Sequence, residues 1–133
     1  MVKILIYGHS PRKSNAQFKD KSEILEYLKK DLFKNEQSRY RYTQSKKADL
    51  IVISFDGEII GYLSVVGSEE PNEEDKDRFP GSKQVYLISQ SNIFEVPVKE
   101  SDFKLAPYKF GKYIEEDTFE AIKSNGGSVS TFP

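Results

Sequence analysis

The sequence predicts an α+β fold that is mainly β: a small antiparallel β-barrel flanked by helices. Three observations predict it. Two apolar runs rich in β-branched residues, 50–55 and 59–66, flank Asp56-Gly57. Asp-Gly tolerates the positive φ angles of a two-residue hairpin turn, so these runs fold back on each other. Residues 84–89 and 93–98 form a second pair of strand-like runs, with Ser91-Asn92 at the predicted turn. Helical spacing is confined to two short segments. An antiparallel ladder in the middle of the chain argues against readings of the N-terminus that need a parallel sheet there.

The elements follow in order. Residues 2–7 (Val-Lys-Ile-Leu-Ile-Tyr) read as a strand ended by Gly8, and Pro11 and Ser14-Asn15 continue a loop. Asp20 with Glu23 three residues later has the pattern of a capping box. Ile24, Leu25, Leu28 and Leu32 then recur at helical spacing, predicting a helix over 21–32. Arg39-Tyr40-Arg41-Tyr42 alternates basic and aromatic side chains. In an extended chain the arginines take one face and the tyrosines the other. After the central hairpin, residues 67–82 are polar and acidic and predict a long loop closed by Phe79-Pro80-Gly81. Pro97 suits a strand end or an edge. The stretch 103–113 is aromatic and irregular, with Pro107 and Gly111 as breakers. Glu115-Glu116-Asp117 opens a second helix that carries Phe119 and Ile122 on one side and ends at Asn125-Gly126. Residues 128–133 read as a frayed tail.

The chain has 133 residues, enough for one core, and neither an internal repeat nor a linker divides it. A single domain over 1–133 is expected. There is no cysteine, which excludes disulfides and Cys-ligated metal sites, and His9 is the only histidine, which excludes multi-histidine metal sites. No metal and no cofactor is expected. No window is long and apolar enough to span a membrane, and the N-terminus lacks the pattern of a secretory signal, so a cytoplasmic protein is expected.

The formal net charge is −1, less basic than a protein that grips nucleic acid mainly through phosphates. The total hides a segregation. Basic side chains concentrate in 1–47, among them Arg12, Lys13, Arg39, Arg41, Lys46 and Lys47, while 69–75 is acidic. Such asymmetry permits a basic binding face on a nearly neutral protein.

Three constellations bear on function. Residues 3–15 resemble the phosphate loop of flavodoxin-like FMN reductases, where a strand leads into Gly-Ser-Pro-Arg and Ser-Asn, although here His9 is inserted after Gly8. That resemblance implies a flavin-binding reductase as an alternative. His9-Ser10 follows the first strand, but adjacent residues do not naturally face each other, so a His9-dependent hydrolase is a second alternative. The Arg39–Tyr42 segment, with Tyr7, Phe55 and Tyr62 on neighbouring strands, supplies aromatic faces that stack on bases and cations that hold phosphates. The bland counterpart is that alternating tyrosines form half-buried core and the arginines are solvated.

The order of strand, helix, basic-aromatic segment and hairpin 50–66 with its Gly61-Tyr62 return strand and acidic sequel resembles the PUA-like superfamily, and within it the EVE and YTH-related domains. The closing run 110–122, from Phe-Gly-Lys-Tyr-Ile into Glu-Glu-Asp-Thr-Phe, is similar to their final strand and helix. The resemblance spans about residues 2–123. It implies a non-catalytic nucleic-acid binding module that reads a modified or flipped base in DNA or RNA and serves a partner effector protein. The chain has no Trp, so any aromatic cage here uses Tyr or Phe. The expected base-binding residues are Tyr7, His9, Ser10, Tyr40, Tyr42, Phe55 and Tyr62. The expected phosphate contacts are Arg12, Arg39, Arg41, Lys46 and Lys47. A third alternative is a protein-interaction domain that uses exposed sheet edges.

Overall fold

Asp56 and Gly57 adopt φ of 51° and 85°, the two positive angles a tight hairpin turn requires. The turn joins β3 (Leu50–Phe55) to β4 (Glu58–Glu69), which pair antiparallel with Phe55 opposite Glu58. The computed structural model describes residues 2–14, 16–105 and 111–132. Pro107 of the predicted irregular stretch, Asn15 of the first loop and Pro133 of the tail lie outside them.

The other strands are β1 (Ile4–His9), β2 (Arg39–Tyr42), β5 (Gln84–Lys99), β6 (Lys112–Ile114) and β7 (Val129–Phe132). Together the described strands form one sheet in the order β2-β5-β4-β3-β1-β6, with β7 added beside β5. The predicted mainly-β α+β class is observed, but the predicted all-antiparallel ladder needs correction. β1 lies parallel to β3, with Ile4 opposite Leu50 and His9 opposite Phe55. The chain between β1 and β3 holds a helix and β2, long enough for the crossover that parallel pairing needs.

Asp20 caps α1 (Lys21–Glu26) by accepting from the Glu23 N–H at 2.9 Å, while the Glu23 carboxylate accepts from the Lys19 N–H at 2.8 Å. The helix continues through a π-helical segment, Tyr27–Asp31, into α2 (Leu32–Lys34). Ile24, Leu28 and Leu32 are buried as their spacing predicts. α4 (Glu116–Asn125) buries Phe119 and Ile122.

Three loop or turn expectations are overturned. The acidic segment is not all loop: Asn72 and Asp75 form a reciprocal capping box that starts α3 (Glu73–Arg78). Acids fill the first turn of α3 and Lys76 and Arg78 its last, both matching the helix dipole. Ser91-Asn92 is not a turn but the middle of the continuous strand β5. The Asn92 amide donates to Ser64 Oγ and its carbonyl accepts from Thr131 Oγ1 at 2.9 Å, so its polar groups are satisfied inside the sheet. The tail is not frayed either, because β7 pairs with residues 91–94 of β5.

Alternation puts two cores on the two faces of the sheet. Leu5, Ile51, Ile53 and Leu63 face the α1 side with Tyr40, Tyr42 and Tyr86. Ile4, Ile6, Val52 and Ile59 face the α4 side with Phe94 and Phe119. Although three strands separate β1 from β2 in the sheet, Tyr7 on β1 meets Tyr42 on β2 with ring centroids 5.0 Å apart. The sheet is therefore curled into a half-barrel around the first core.

Candidate functional site

Curling brings the C-terminal ends of β1 and β2 together, and a cavity of about 1030 Å³ opens there. Tyr7, His9, Ser10 and Arg12 line it from β1 and the loop that follows. Arg41, Tyr42 and Thr43 line it from β2, Ser54, Asp56 and Gly57 from the hairpin, and Phe79, Pro80 and Ser82 from the chain after α3. Glu100 and Gly111 also line it, as do Lys13, Ala16 and Gln17.

His9 is the best-defined polar group in the cavity. Its Nε2 lies 2.9 Å from the Tyr40 hydroxyl. Its ring meets Tyr7 edge-on at 4.9 Å and Phe18 edge-on at 5.1 Å, which fixes its orientation. Burial, with Lys13 nearby adding to it, pushes the His9 pKa down to about 4, so the imidazole is neutral at physiological pH.

Tyr42 contributes differently from its expected role. Its ring is 2% exposed and is packed against Tyr7 and Tyr86, so no face is offered for stacking. Its hydroxyl is buried and has no hydrogen-bond partner among the described residues. Burial pushes its pKa up to about 12. Gly111 lies against this hydroxyl, close enough that a Cβ there would stand 2.5 Å from it.

The arginines of β2 are engaged by carboxylates. Arg39 donates to Asp75 at 2.7 and 3.1 Å and also pairs with Glu69. Arg41 donates to Asp75 at 2.8 Å and also pairs with Glu36. Asp75 is fully buried, and the Arg39 hydrogen bonds, with help from the Asn72 N–H and Arg41, hold its carboxyl down at about 2. Two guanidiniums thus bracket one carboxylate and bolt α3 to β2. The predicted separation of faces is correct, but the arginine face is covered by α3 rather than open to solvent. Arg41 also lies over the Phe79 ring at 5.3 Å, so the bolt continues into the cavity wall.

The remaining expected site residues are scattered. Tyr40 stands behind His9, 3% exposed, and is not part of the cavity lining itself. Phe55 is core beneath the hairpin, 5% exposed. Tyr62 is on the opposite face, edge-on to Phe119 at 5.0 Å, because residues 62 and 63 of a strand point in opposite directions. Lys46 donates from Nζ to the Gly111 carbonyl at 3.1 Å. Lys47 lies beside a separate shallow hollow with Lys3 and Val66. Arg12 does reach the cavity, where it is highly exposed and ion-paired with Asp56.

Residue-type reasoning missed Lys13, Ser54, Asp56, Phe79 and Glu100. Asp56 was visible only as a turn residue, and nothing in the local pattern around Glu100 marks a buried acid.

No protein-family model and no curated protein sequence matches the chain. Among solved structures, it is similar to ASCH from Zymomonas mobilis with a TM-score of 0.61 at 10% identity, over 95% of this chain and 97% of that one. It is also similar to the S128A mutant of the same protein, with a TM-score of 0.57 at 11% identity, over 96% and 97%. The fold is PUA-like. A PUA-like half-barrel is not a doubly wound parallel sheet, and its one parallel pair, β1 with β3, does not make it one. The flavodoxin-like expectation for residues 3–15 is corrected on that ground. Among the described residues no helix is long and apolar enough to cross a membrane.

Proposed function

We propose that this chain is a nucleic-acid binding module that takes one unpaired or flipped base, modified or not, into the cavity between β1 and β2, in the manner of an EVE-like reader. The observation that carries the reading is convergence. His9, Tyr7 and Phe79 line one concave site with room for a nucleotide, and the exposed Arg12 and Lys13 stand at its rim. The Tyr7 and Phe79 rings, both half-buried, serve as walls for a planar base. His9 and Ser10 supply edge contacts, and Arg12 and Lys13 supply phosphate contacts. The Arg12–Asp56 pair is exposed and weak, so Arg12 exchanges it for a phosphate at little cost. Near-neutral net charge makes affinity depend on the pocket more than on bulk attraction. Holding a base without altering it is a task for a specificity module that hands its target to an effector.

The test is fluorescence anisotropy with short labelled single-stranded RNA and DNA at two salt concentrations. The expected result is binding that weakens as salt rises. Absence of binding to either polymer at low salt overturns the reading.

A further inference from the structure

We propose that Tyr40 is a positioning residue that holds His9 as its Nδ1–H tautomer, turning the cavity wall at His9 into a hydrogen-bond donor that accepts only a base edge carrying an acceptor there, such as a carbonyl oxygen or an unprotonated ring nitrogen. This rests on the base-binding reading above and deepens it by assigning the chemistry of the bound edge.

The argument is an account of two protons. The Tyr40 side chain is buried, and burial keeps its phenol protonated. Its O–H therefore needs an acceptor. Among the described residues the partner of that hydroxyl is His9 Nε2, at 2.9 Å. If Nε2 carried the ring proton, it would donate to the tyrosine oxygen, and the buried phenol proton would point at nothing. Burying a donor without a partner is costly, so the other arrangement prevails: the Tyr40 O–H donates to Nε2. The imidazole is neutral, so its single proton sits on Nδ1.

Nδ1 has no hydrogen-bond partner among the described residues, and His9 lines the cavity. Edge-on contacts with Tyr7 at 4.9 Å and Phe18 at 5.1 Å oppose the ring turn that would reverse the assignment. An occupant that meets Nδ1–H with an amino group sets donor against donor. One that meets it with a carbonyl or a bare ring nitrogen makes a hydrogen bond that displaced water no longer has to supply.

His9 is the only histidine, so ring-nitrogen NMR of uniformly ¹⁵N-labelled protein gives one pair of side-chain signals and needs no assignment. In the ligand-free protein at neutral pH, Nδ1 is expected at the position of a protonated nitrogen and Nε2 at that of a bare one. Saturating the protein with unlabelled single-stranded RNA or DNA is expected to move the Nδ1 proton downfield. Tyr40→Phe removes the phenol proton that fixes the tautomer and is expected to give a mixture of Nδ1–H and Nε2–H forms, with about tenfold weaker oligonucleotide binding. His9→Asn, whose amide falls near the Nδ1 position, is expected to retain more affinity than His9→Gln, whose amide falls near Nε2.

A bare Nδ1 in the wild-type protein that still binds oligonucleotide overturns this inference and leaves the base-binding reading standing. A ring that changes tautomer in Tyr40→Phe with affinity unchanged overturns the donor role. A wild-type chain that binds neither polymer overturns the reading and, with it, the selection of an acceptor.

Discussion

The carboxylate of Asp75 on α3 accepts a hydrogen bond from the Arg41 guanidinium on β2 at 2.8 Å, with both side chains almost wholly removed from solvent. The pair, shared with Arg39, joins a short polar helix to the sheet in place of apolar packing. Breaking a buried pair by deleting one partner strands the other charge, and such losses are typically 3–5 kcal/mol. Asp75→Asn is therefore expected to cost about 3 kcal/mol in chemical denaturation. The same variant should weaken oligonucleotide binding, since residues 79–82 wall the cavity just beyond α3. The folded-state pKa of Asp75 lies below its ordinary value of 3.8, so its stabilisation is complete above about pH 4 and is lost as pH falls toward 2. Asp75→Asn should remove that part of the acid transition, as urea titrations at several pH values will read.

His9 produces an acid sensitivity at higher pH. Its folded pKa of about 4 lies below the ordinary 6.5, so the unfolded chain binds the proton more readily. Stability is at its plateau above about pH 6.5 and falls as pH drops through that value toward 4, by up to about 3 kcal/mol. Urea denaturation at neutral pH and near pH 4.5 measures the drop, and His9→Gln should abolish its share of it.

Arg12 and Lys13 are expected to act on binding and not on folding. Replacing each by Ala should lower oligonucleotide affinity and reduce the slope of log K against log salt by about 0.7 per phosphate contact removed from a single strand. Melting temperatures should stay put, since both side chains are exposed. Arg39→Ala should behave in the opposite way, with a clear loss of stability and an unchanged salt slope in the fraction that remains folded.

Tyr42→Phe is expected to leave stability unchanged or raise it by up to about 1 kcal/mol, because the hydroxyl it deletes is buried without a partner among the described residues. A marked fall in melting temperature would mean that this hydroxyl is satisfied in solution.

Gly61→Ala should be among the most damaging small substitutions. A Cβ at residue 61 would lie 2.2 Å from the Asn92 carbonyl oxygen, where β4 and β5 approach at a bulge. Backbone must move to make room, and a loss of at least about 2 kcal/mol is expected from thermal or urea unfolding.

Particular elements show where sequence reasoning holds. The Asp56-Gly57 turn, the Asp20 cap with its following leucines, and the α4 face of Phe119 and Ile122 are each specified within a dozen residues, and each is found as predicted. α3 was legible in principle, since Asn72-x-x-Asp75 is a capping pattern. The pattern is a weak helix signal because residues 73–78 carry no apolar side chain, and the helix is held by ions instead. Ser91-Asn92 has turn composition, yet Thr131, Ser64 and Tyr62 supply the Asn92 side chain's hydrogen bonds from distant segments, so it lies in a strand.

The sequence by itself determined part of the local geometry of this protein: the Asp56-Gly57 turn, the starts of α1 and α4, and that Arg39 and Arg41 share one face opposite Tyr40 and Tyr42. Only the tertiary structure decided what those faces meet. Curling the sheet set β1 against β2 and made a cavity from residues far apart in the chain. It sealed the tyrosine rings into the core and gave Arg39 and Arg41 to a buried aspartate from a helix more than thirty residues away. The physical reason is that backbone propensity acts over a few residues. The partner of a charge or a ring is chosen instead by which surfaces long-range packing brings into contact, and single-residue patterns carry no record of that choice.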